Sequence, residues 1–141
     1  KKRVETIEIT TKTHRAITIE SLYMLPKYYH KFMKTYNSLD GESELSDITE
    51  LLIFIEWLFG MIVSLKEVTT LGTIYVDYDE YVNEFRKYSE ELLKAVNDEK
   101  YEEMFEILDN VMLDLIEDFV LNSTDYLREI MEEEKRTYLY N

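Results

Sequence analysis

The 141 residues carry 30 Asp/Glu against 16 Lys/Arg, a formal net charge of −14, and contain no cysteine. The lack of cysteine excludes disulfides, thiolate metal sites and cysteine nucleophiles, and the mixture of three Gly, one Pro, 33% charged and 45% hydrophobic residues favours helix over sheet or disorder. The expected fold class is therefore all-α: one domain built as an antiparallel bundle of four main helices, with an optional fifth short C-terminal helix and a short extended N-terminal arm.

In chain order, residues 1–12 form the expected arm, 13–121 the bundle, and 122–141 a C-terminal helix or a fraying tail. The arm opens KKRVETIEITTKTHR, and no apolar run of the signal-peptide type follows, so a cytoplasmic location is expected. VETIEITT is rich in β-branched residues and predicts a short strand or extended connector. A first helix spans about 13–38, where Leu22, Leu25, Tyr29, Phe32, Tyr36 and Leu39 repeat at helical spacing. Pro26 lies inside it and predicts a kink or a fresh start, and Asp40-Gly41 then predicts a turn.

The second helix contains the most apolar stretch of the chain, LLIFIEWLFGMIVSLKEV, residues 51–68. The run is too short and too charged for a membrane span, which needs about 20 largely apolar residues, and Glu56 would sit near its middle at a cost of about 2.5–3.5 kcal/mol. Apolar residues cover most of its circumference, which predicts a central helix surrounded by others. A polar stripe remains through Thr49, Glu56, Gly60 and Glu67, and Ser46 is the expected N-cap. TIYVDY, residues 73–78, predicts a non-helical connector. A third helix spans about 79–97 and a fourth starts near Lys100, carrying Met104, Leu108, Met112, Leu115 and Phe119; it either stops near Asn122 or continues through Tyr126 and Ile130. The sequon Asn122-Ser123-Thr124 is read as helix-end chemistry rather than a glycan site.

The Glu56-Trp57-Leu58 to Ile62 helix, the AVNDEKY segment at 95–101 and the acidic helix MFEILDNVMLDLIEDF at 104–119 together resemble a group of small, acidic, uncharacterised helical-bundle proteins of Gram-positive anaerobic bacteria. The resemblance covers residues 20–121. It implies a soluble bundle in a bacterial cytoplasm and carries over no catalytic residue.

The chemistry available to such a chain is narrow. Residues 1–39 hold eight Lys/Arg against three Glu, a net of +5, whereas residues 40–141 hold eight against 27 acids, a net of −19. A direct nucleic-acid partner would need a concentrated basic face, and none is expected; nor is a membrane. Di-metal carboxylate bundles use Glu-x-x-His, which is missing, and the Asp77-Tyr78-Asp79 start of a calcium loop has Val82 where Gly belongs and Tyr88 where Glu belongs. His14 and His30 lie in the basic segment. No phosphate loop, nucleophile elbow or dinucleotide fingerprint occurs. No catalytic residue, cofactor or metal is therefore expected.

What remains points to protein binding. Glu103, Glu106, Asn110, Asp114 and Glu117 fall on one face of the fourth helix, either for solubility or as a docking face for a basic partner. Tyr23, Tyr28, Tyr29 and Tyr36 are candidate interface aromatics. The expected function is a non-catalytic adaptor or small export-type chaperone; an acidic inhibitor mimicking nucleic acid is the alternative, and a ligand site or enzyme built on Glu56 comes third. The arm, with its strand-prone edge and a charge opposite to the body, leads to a homodimer as the expected assembly.

Overall fold

The computed structural model describes the backbone of residues 2–39 and 45–140, and side chains within 14–39 and 45–137. Helix α1 spans Lys2–Asn37, α2 Leu45–Val68, the single turn α3 Leu71–Ile74, α4 Tyr78–Asn97 and α5 Tyr101–Ile107. One π turn, Leu108–Met112, then leads directly into α6, Leu113–Tyr140. The chain is an all-α bundle, and 92% of it is helical with no strand among the described residues.

Four rods make the bundle: α1, α2, α4 and the continuous α5–π–α6 helix. In space α1 lies beside α2, α2 beside α4, α4 beside α5, and α6 closes the ring against α1. Every neighbouring pair is antiparallel, as specific contacts show. Phe32 of α1 stacks on Phe54 of α2 at 4.6 Å between centroids, Phe59 of α2 stacks on Phe85 of α4 at 5.7 Å, and Tyr81 of α4 stacks on Phe119 of α6 at 6.2 Å. On the fourth seam Arg15 reaches Glu134 at 3.4 Å while Tyr36, at the other end of α1, donates to Asp109. Short connections make this up-down-up-down order the simplest one available.

The core is a single cluster in which Leu22, Leu58, Ile62, Phe85, Leu92 and Phe119 are almost fully enclosed. Each such side chain stabilises the fold by roughly 1.5–3 kcal/mol. The ion pairs lie on the surface, where a pair contributes about 0–1 kcal/mol, so apolar burial dominates. At 24 residues α2 is long and apolar enough to cross a membrane, which corrects the expectation that the run is too short and too charged, and 44% of its most apolar stretch is buried inside the bundle. It supplies Leu51, Phe54, Ile55, Leu58, Met61, Ile62 and Leu65 to the core.

Several expectations are corrected. The backbone from Lys2 onward is helical, so residues 2–12 are the first turns of α1 rather than an extended arm, and VETIEITT offers no strand edge to a second chain. α1 runs through Pro26 unbroken, forgoing one backbone bond. α2 is already helical at Leu45, which places Ser46 inside it rather than at its cap. The Asp40-Gly41 turn lies outside the described residues.

Asn122 is in mid-helix, donating to the Asp118 carbonyl at 2.9 Å, and α6 continues to Tyr140 instead of ending at the sequon. α4 ends at a Schellman-type stop: Lys100 N–H bonds to Ala95 C=O at 2.8 Å and Glu99 N–H to Val96 C=O at 3.1 Å, with Glu99 at φ 58°. The π turn has a plain cause. Met104, Leu108, Met112 and Ile116 are all buried at intervals of four residues, and a helix of 3.6 residues per turn rotates such a series off one face. One wider turn keeps the series facing the core.

Candidate functional site

Among the described residues, three grooves along the helix seams stand out. The first lies between α1 and α2, has a volume of about 320 Å³, and is lined by Tyr28, Lys31, Phe32 and Thr35 from α1 and Glu50, Leu51, Ile53, Phe54 and Trp57 from α2. Its walls are aromatic because two core-edge positions of α1, Tyr28 and Phe32, stand one turn apart and meet a second such pair, Phe54 and Trp57, on α2. Tyr28 packs edge-on against Trp57 at 5.2 Å, and Phe54 lies 5.8 Å from Trp57. The floor is core, but the lip is open: Ile53 is 61% exposed and Tyr28 39%. Beyond it Leu45 is 63% exposed at the start of the same helix. A single ion pair, Lys31 to Glu50 at 3.2 Å, bridges the two lips.

The second groove, about 620 Å³ between α4 and α5, contains three of the five residues expected on the acidic face, Glu103, Glu106 and Asn110. Lys94 and Lys100 line the same groove with Glu91 and Asp98, so positive charge interrupts the acid there. Asp114 and Glu117 are exposed on α6 beyond the π turn, which shifts the register between the two halves of the set. Glu117 faces α1, where its charge adds to burial in holding the Tyr29 hydroxyl above its ordinary value of 10.0.

The third, about 500 Å³, lies between the α3–α4 corner and α6, where Tyr75, Tyr78, Tyr81 and Tyr126 gather. These rings are structural. Tyr78 donates to the Ile62 carbonyl at 2.6 Å and Tyr81 to the Leu115 carbonyl, tying α4 to α2 and α6. Burial, with Tyr126 beside them, pushes both phenols well above 10.0. Tyr126 is pushed up to about 12, by burial first and then by Tyr75, Asp118 and Asp125.

The four candidate interface tyrosines therefore divide. Tyr28 belongs to the open α1–α2 groove, Tyr23 stands exposed at 57%, and Tyr29 and Tyr36 are half-buried against the core. Glu56 is exposed on the outer side of α2, on the polar stripe, and is not an enclosed acid. Trp57 is half-buried rather than central. No cluster of three or more His, Asp or Glu among the described residues is placed to hold a metal.

The groove's key side chains, Ile53 and Trp57, were assigned in the sequence to a helix apolar nearly all round. The signal that separates them is their position beside Thr49, Glu56 and Gly60, the stripe that faces out. Comparison with family models, with curated proteins and with solved structures finds no match. The functional reading thus rests on this geometry.

Proposed function

We propose that the protein is a non-catalytic binding bundle whose working surface is the α1–α2 groove, filled by the apolar face of a helix from another polypeptide. The observation that carries this reading is the open aromatic lip, where Tyr28 and Trp57 meet edge-on beside a largely exposed Ile53. Recognition of amphipathic helices uses such grooves, with apolar anchors at i, i+3, i+4 and i+7, and aromatic anchors dominate the energy of interfaces of this kind. The two other grooves support it less: one alternates acid and base, and in the other Tyr78 and Tyr81 are already bonded to backbone carbonyls.

Trp57 is the only tryptophan and stands inside the groove, so it reports occupancy directly. Adding a model amphipathic helical peptide of Leu, Ala, Glu and Lys should shift Trp57 emission to shorter wavelength, while a scrambled, non-amphipathic peptide should not. Ile53→Arg should abolish the response. An emission spectrum indifferent to the amphipathic peptide at saturating concentration, in protein that sediments as a monomer, contradicts the reading.

A further inference from the structure

We infer that the occupant of the α1–α2 groove is a second copy of this chain, docked about a two-fold axis that runs parallel to the helices along the groove. The inference rests on the groove being a binding surface and adds what binds it.

The charges of the two lips carry the argument. On α1 the outward residues beside the groove are basic, Lys27, Lys31 and Lys34, all exposed; on α2 the charged residue of the lip is acidic, Glu50. Lys31 is level with Glu50 through their 3.2 Å ion pair, and Tyr28 is level with Trp57 at 5.2 Å. A two-fold axis along the groove lays α1 on the partner's α2 without changing levels. Lys31 then meets the partner subunit's Glu50, twice by symmetry. The other face-to-face arrangement, with its axis across the helices, lays α1 on the partner's α1 and sets lysine against lysine. Charge thus selects the first arrangement and sets its register.

Two further observations fit. Gly60 lies in the interior of α2 on the outward stripe, and a side chain there would meet nothing within 4 Å. A helix-interior glycine weakens a helix, and this one has no packing reason within its own chain; a bare backbone lets a second helix approach closely. The area is also adequate. At 24 residues, α2 is about 36 Å long, and two helices side by side are about 20 Å across. The face covers roughly 700 Å², near the roughly 800 Å² per partner of a standard interface.

The test is sedimentation of the full chain at micromolar concentration and low salt, beside two charge-reversed variants, Lys31→Glu and Glu50→Lys. The wild type should sediment as a dimer and each variant alone as a monomer with unchanged helical circular dichroism. The two variants mixed in equal amounts should form a heterodimer, because each acidic lip again meets a basic one. Ile53→Arg, at an exposed position that leaves the core intact, should also be monomeric. A dimer that survives all three changes, or a mixture that fails to reassociate, overturns the inference. A monomeric wild type overturns it too. If the Trp57 emission of that monomer still responds to the amphipathic peptide, the groove remains a binding site with a different occupant; if it does not, both readings fall.

Discussion

The two sides of the bundle use aromatic residues in opposite ways. Around α4 and α6, Tyr78 and Tyr81 are buried with their hydroxyls donated to helix carbonyls of α2 and α6, and the surface outside them is acidic. Along α1 and α2, Tyr28 and Trp57 touch only each other and their groove neighbours, and Ile53 is left open. A buried tyrosine needs a partner for its hydroxyl, so the first group serves the fold. The second group makes no such bond and leaves apolar area in water beside an aromatic groove. On the proposed function, the difference separates residues that hold the protein together from those that meet an occupant of the groove.

The comparison breaks most visibly in alkali. For Tyr78, Tyr81 and Tyr126 the folded phenol ionises above the ordinary 10.0 of the unfolded chain. Below pH 10 both states hold the proton and the full stability is present. Above it the unfolded chain ionises first, so stability falls as pH rises toward the folded values. Each tyrosine contributes a slope of about 1.4 kcal/mol per pH unit, about 4 kcal/mol for the three. Urea unfolding on either side of pH 10 measures this, and Tyr81→Phe should remove about a third of the slope. A stability unchanged one unit above pH 10 contradicts the account of that side.

A smaller effect sharpens the other side. Gly60→Ala should raise fold stability by about 0.5–1 kcal/mol, because the helix gains and nothing is crowded. Thermal unfolding in an Ile53→Arg background, where association does not add to the reading, would show it. A loss of stability would mean that Gly60 has a role inside its own chain.

Much of the fold was legible in the sequence because apolar periodicity is strong where a helix has one buried side. The α4 seam through Tyr81, Phe85 and Leu92 and the long last helix through Leu108 and Phe119 follow directly from spacing. The first turns of α1 were not legible: β-branched residues such as Val4, Ile7 and Ile9 point to a strand, yet the helix extends back to Lys2 and local preference gives way to context. The π turn was present in the sequence as the run of fours from Met104 to Ile116 but reads as an ordinary helix unless the intervals are counted.

The groove was half visible. Tyr28 stands out by type, whereas Ile53 and Trp57 sit in a stretch so apolar that only the narrow polar stripe through Thr49, Glu56 and Gly60 marks its outer side. The helix's position at the edge of the ring of four explains why that stripe faces out.

The most direct test of the α1–α2 face uses the lack of cysteine in the chain. Single cysteines would be introduced as Ile53→Cys, at the groove lip, and Leu121→Cys, 70% exposed on α6, and each protein treated with a short bismaleimide cross-linker. Ile53→Cys should give a covalent dimer in high yield and Leu121→Cys should remain a monomer. Equal cross-linking at the two positions, or none at Ile53→Cys, would contradict the assignment of this face as the surface through which the protein meets its partner.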